Sequence, residues 1–109
     1  MPGGTFASVL VLVERAKEEL VSALPSPRGV QRVPLAEALL RFERDLRDAA
    51  KEMDGRRGAG EVWRACRDAL DESLGRAERL RLEAPELDYE GLVVILAELI
   101  DPLEAFSDA

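Results

Sequence analysis

Apolar residues recur along this chain at alternating steps of three and four, the spacing that lays side chains along one stripe of an α-helix. The pattern is plainest in the second quarter. Leu35, Leu39, Phe42, Leu46, Ala49 and Met53 follow one another at four, three, four, three and four residues. Pro34 suits the start of such a helix, where a missing N–H costs nothing, and Gly55 suits its stop. A third stretch carries the same rhythm in Trp63, Cys66, Leu70, Ser73, Ala77, Leu80 and Ala84 before Pro85. The first holds Phe6, Val9, Val13, Ala16, Leu20 and Ala23 or Leu24, with Thr5 as its N-cap. The fourth opens at Asp88 and carries Leu92, Ile95, Leu96, Leu99, Leu103 and Phe106, with Pro102 placed to kink it or end it early.

Breaker-rich segments, "PSPRG" at 25–29, "DGRRGAG" at 54–60 and Pro85 with its neighbours, separate these stretches. No segment alternates with the period of two that marks a strand. The sequence thus predicts an all-α fold, an antiparallel up-down-up-down four-helix bundle with helices at roughly 5–24, 34–53, 61–84 and 88–106. A three-helix bundle with a detached first helix is the alternative. One domain spanning 1–109 is expected at this length.

Two helices carry more apolar surface than one bundle face needs. In "TFASVLVLVERAKEEL" at 5–20, Val9, Val13 and Leu20 centre the core stripe, Leu10 and Leu12 flank it, and Val11 points away. In the fourth helix, which contains "GLVVILAELI" at 91–100, Leu92, Leu96, Leu99 and Leu103 define the core, Val93 and Ile100 widen it on one flank, and Val94 points outward. The first and fourth helices of an up-down bundle are neighbours, so the surplus can form one patch. The sequence therefore nominates Val11, Leu12, Val93, Val94 and Ile100 as an interface, most simply in a two-fold homodimer, or else against another helical protein. The competing reading makes them well-buried core or ordinary isolated surface valines.

Composition narrows the chemistry. The 22 acidic and 15 basic residues give a formal charge of −7, which repels a phosphate backbone, so nucleic acid is not an expected partner. Hydrophobic residues at 47% with charges at 34% suit a globular fold rather than disorder. Glu14 and Arg15 follow the first apolar run, and Glu98 interrupts the longest one, so neither a secretory signal nor a membrane span is expected. Membrane attachment is disfavoured by the glutamates on the polar face of the first helix. With a single cysteine, Cys66, no internal disulfide can form, and a cytoplasmic protein is expected.

The chain contains no histidine. That removes Ser-His and Cys-His nucleophile pairs, the Glu-x-x-His ligands of di-iron bundles and ordinary zinc sites. Phosphate-loop, dinucleotide and EF-hand spacings are also missing. No enzymatic activity and no cofactor are expected. The carboxylates pair with arginines four residues away, as in Arg41 with Asp45, Arg44 with Asp48, Arg64 with Asp68, Arg67 with Asp71, Glu72 with Arg76 and Arg79 with Glu83, which predicts a solvated charged face rather than a metal site. Cys66 falls on a core stripe and reads as a small buried side chain.

A second function comes from the arginines. In the up-down arrangement Arg28, Arg32, Arg76, Arg79 and Arg81 collect at the bundle end that holds two helix N-termini, which suits a small anion. A third is an acidic decoy or inhibitor that presents its carboxylate face to a basic partner. The first reading remains a non-catalytic protein that acts by association.

Overall fold

The computed structural model describes residues 7–23, 34–55, 60–83 and 89–108. Within them are four α-helices, α1 (Ala7–Val21), α2 (Leu35–Asp54), α3 (Glu61–Glu83) and α4 (Tyr89–Ile100), followed by a 3-10 segment over Asp101–Asp108. No strand occurs among the described residues. Thr5 and Asp88, the expected N-caps of the first and fourth helices, lie outside them.

The apolar stripes read from the sequence become one core. Val9, Val13, Ala16 and Leu20 of α1, Leu39, Phe42, Leu46, Ala49 and Met53 of α2, Cys66, Leu70, Ala77 and Leu80 of α3, and Leu92, Leu96 and Leu99 of α4 are all buried together. Trp63 is only partly buried and packs against the edge of this cluster. A fully buried leucine is worth roughly 1.5–3 kcal/mol relative to an exposed one, so these stripes dominate the stability.

Polar contacts between helices fix which residues face one another. Between α1 and α2, Ser8 Oγ donates to Glu52 Oε1 at 3.0 Å, and Arg41 Nη1 donates to Glu19 Oε2 at 3.5 Å. Between α2 and α3, Arg81 grips Glu43 and Arg47 Nη2 donates to Glu78 at 2.8 Å, while near the other end Arg67 Nε donates to Asp54 Oδ1 at 2.8 Å. The 3-10 segment and α4 pack on α3. The α1 helix leans chiefly on α2 and touches α4 only lightly.

Helix boundaries follow from the breakers. Pro34 stands as the N-cap of α2 rather than its first helical residue, and its carbonyl accepts the Ala38 N–H at 3.0 Å. At the other end the Gly55 N–H closes on the Lys51 carbonyl at 3.0 Å, with right-handed backbone geometry. The α-helical hydrogen bonding of α4 stops at Ile100, and the chain tightens into the 3-10 segment that contains Pro102. Proline has no N–H, so the Glu98 carbonyl loses the donor four residues ahead. Helix α3 supplies the replacement: Arg76 Nη1 donates to the Glu98 carbonyl at 2.8 Å, and the buried Ser73 Oγ donates to the Leu99 carbonyl at 2.6 Å. A cation at a helix C-terminus also complements the helix dipole.

Candidate association surface

Of the five residues nominated as an interface, three stand in solvent. Val11 is 58% exposed, Val94 57% and Val93 38%. Leu12 and Ile100 are only partly exposed and rest against the core. Apolar exposure is not confined to the terminal helices, since Val21, Leu40, Val62 and Leu82 also face outward. Val62 groups with Ala65 and Ala105 beside a groove of about 210 Å³, whereas α4 groups two exposed valines around a larger one. Val93, Val94 and Ala97 line a groove of about 400 Å³ whose remaining walls are Arg76, Glu98 and Asp101.

The arginines are distributed over several sites. Arg28 and Arg32 lie outside the described residues. Arg81 reaches across to α2, where its Nε and Nη2 donate to Glu43 Oε2 and Oε1 at 2.6 and 3.1 Å. Arg76 donates to Glu72 at 2.7 Å as well as to the Glu98 carbonyl, so its fork serves the C-terminal part of α4 and not a helix N-terminus. Arg79 is exposed and joins Arg76 and Glu98 along a cleft of about 180 Å³ floored by Leu80, Ile95 and Leu99.

Two carboxylates depart from the solvated face that the i,i+4 spacing suggested. Arg67 with Asp71 and Glu72 with Arg76 do pair, at 2.6 and 2.7 Å. Arg41, however, turns to Glu37 at 2.6 Å and Glu19 at 3.5 Å instead of to Asp45. Asp45 is buried on the α1 side of α2, and its Oδ2 has no hydrogen-bond partner. Burial, which disfavours the charged form, raises its pKa above the usual aspartate value, against the opposing pull of Arg44 and Arg15. The i,i+4 count failed here because it ignores where the helix face points. Glu43, two residues earlier, is buried on the α3 side and accepts from both Arg81 and Arg47.

At the α2–α3 turn the balance is opposite. Arg67 donates to both oxygens of Asp54, and this hydrogen bonding holds the Asp54 carboxyl below its ordinary pKa. The same contacts raise the pKa of Arg67, and the Glu43 contact raises that of Arg81, so both arginines are fixed as cations. Cys66 is buried with its Sγ directed at the Ala105 carbonyl, 3.5 Å away, a position that suits packing rather than nucleophilic attack.

The acidic residues around the α4 groove were not singled out by spacing rules. Their signal is the absence of any Lys or Arg after Arg81, which a charge count along the chain reveals. Among the described residues no cluster of His, Cys, Asp or Glu is arranged to hold a metal ion, and no helix is long and apolar enough to cross a membrane. No protein-family model matches the chain, nor does any curated protein or solved structure.

Proposed function

We propose that the chain is a non-catalytic helical association protein, an up-down-up-down bundle that meets a second copy or another helical surface through the outward apolar faces of α1 and α4. The observation that carries this reading is the contrast within each helix. Val11 is exposed between the buried Val9 and Val13, and Val93 and Val94 are exposed between the buried Leu92 and Leu96. The bundle does not need these side chains for its own core. Pairing of Ser8 with Glu52, Arg81 with Glu43, and Ser73 with the Leu99 carbonyl supports successive antiparallel helices.

Sedimentation tests the simplest form. If the partner is a second copy, a homodimer should appear at micromolar concentration, and a Val11→Glu, Val94→Glu variant should run as monomer with unchanged helical circular dichroism. A chain that stays monomeric leaves the second copy without support.

A second reading, capture of a small anion, is favoured only by the juxtaposition of Arg76 and Arg79 in one cleft, where Glu98 in the lining opposes it. Phosphate or sulfate should then raise the melting temperature, and Arg79→Ala should abolish the rise, because a ligand that binds only the folded state stabilises it by mass action. No rise at millimolar anion removes this reading.

A further inference from the structure

The charge of this protein is divided unevenly along its length. Residues 84–109 hold Glu86, Asp88, Glu90, Glu98, Asp101, Glu104 and Asp108 and no Lys or Arg. The remaining 15 acids and 15 bases cancel, so the whole formal charge of −7 belongs to the segment that contains α4.

The α4 groove sits within that field. Its floor is Val93, Val94 and Ala97, its wall includes Glu98 and Asp101, and Glu90 and Glu104 are exposed before and after it. Among the described residues the cation on its wall is Arg76, which is already engaged by Glu72 and the Glu98 carbonyl. Ala97, the smallest side chain on the floor, leaves room for an incoming branched or aromatic side chain. At about 1.5 Å per residue, the 12 residues of α4 offer a track about 18 Å long.

Three occupants differ sharply in charge. A second copy placed face to face at α4 would bring the same carboxylates against these, and like charges across an interface work against pairing. An anionic membrane surface meets the same repulsion. A helix with one apolar stripe and Lys or Arg on its flanks matches both the floor and the rim. We infer that the outer face of α4 docks a basic amphipathic helix of another protein. This rests on the association reading and names its partner by chemistry.

The test uses the full chain and a fluorescent synthetic peptide of about 18 residues, with leucines at helical three-four spacing and lysines elsewhere, followed by anisotropy. A scrambled peptide of identical composition is the control for charge alone. The expected result is micromolar binding that falls about tenfold between about 50 and 500 mM salt, as screening of the rim requires. Scrambling the peptide should also cost about tenfold, and so should Ala97→Trp, which fills the groove from an exposed position and keeps the helical circular dichroism. Glu98→Gln with Asp101→Asn should weaken binding and flatten its salt dependence. Equal binding of both peptides, or unchanged affinity in Ala97→Trp, overturns the inference. Sedimentation of the same samples separates the two claims. A dimer that ignores the peptide overturns the basic partner and leaves association standing, whereas a monomer that ignores it overturns the basic partner and leaves the second copy without support.

Discussion

Helices α2 and α4 treat charge in opposite ways. On α2, the carboxylates are answered from within the molecule: Glu43 by Arg81 and Arg47, Asp54 by Arg67, Glu37 by Arg41, while Arg47 in turn reaches Glu78 and Arg41 reaches Glu19. These contacts register α2 between its two neighbours. On α4, the inner face is anchored through backbone carbonyls that accept from Ser73 and Arg76, and the exposed Glu90, Glu98 and Asp101 have no cation of their own segment to meet. Part of the charge on the first 83 residues joins neighbouring helices, through Arg41 with Glu19, Arg47 with Glu78, Arg67 with Asp54 and Arg81 with Glu43. Charge on the last segment meets no basic residue of that segment, and Glu98 and Asp101 border the apolar groove of Val93, Val94 and Ala97.

Asp45 departs from this pattern on α2, and its neighbour Glu43 shows why. The two lie about 200° apart around the helix axis, one turned to α1 and the other to α3. The α3 side provides Arg81, which donates twice. The α1 side provides Arg15, near enough to lower the Asp45 pKa, but burial outweighs it and Oδ2 stays unbonded. One seam therefore contains a satisfied carboxylate and the other a strained one.

The largest effects should come from the core that both helices share. Leu39 and Leu70 are 2% and 1% exposed, and truncation of either to Ala should cost about 2–5 kcal/mol through lost burial and a residual cavity, read from denaturant melts. If either costs no more than Val94→Ala, that leucine does not lie in the core. Next should be Glu43→Ala, which strips the acceptor from Arg81 and Arg47 and should cost about 2 kcal/mol; a neutral result would mean that the α2–α3 seam is held by apolar contact alone.

Asp45→Asn should go the other way, stabilising the protein by about 1 kcal/mol at neutral pH. The sign follows from its raised pKa. Ionised Asp45 penalises the fold above the folded-state pKa, and the penalty fades as pH falls through that value towards the ordinary 3.8. The gain from Asn should fade with it. Asp54 should behave inversely: its lowered pKa means that the Arg67 contact contributes above 3.8 and is lost as pH drops below it, so the cost of Asp54→Asn should shrink in acid. Melts over pH 3 to 7 distinguish the two aspartates, and parallel profiles would contradict this division of the seams.

Much of the fold was legible because three-four spacing and breakers are local signals. Leu39, Phe42, Leu46 and Met53 are buried as their stripe required, and α4 ends short at Ile100, where Pro102 denies Glu98 a donor. Burial of Glu43 and Asp45 was not legible. A charged residue beside a stripe reads as solvent-facing unless the neighbouring helices are known, and α2 is covered on both flanks. The same limit applied to the arginines. Arg76, Arg79 and Arg81 are close in sequence, yet Arg81 turns to α2 while Arg76 turns to α4, because side chains three to five residues apart can leave a helix towards different neighbours. For the association face, the outward positions of Val11 and Val94 could be read from the helical wheel, whereas the groove around Ala97 required the placement of Arg76 against α4.

The smallest expected effect bears most directly on the central claim that the outer face of α4 is surplus to folding. Val94 and Leu96 lie two residues apart, one 57% exposed and the other 4%. Denaturant melts of Val94→Ala and Leu96→Ala, at a concentration where the protein is monomeric, should give a loss of no more than about 0.5 kcal/mol for the first and about 2–5 kcal/mol for the second. If Val94→Ala proves as damaging as Leu96→Ala, the face is part of the core and no partner is needed to cover it.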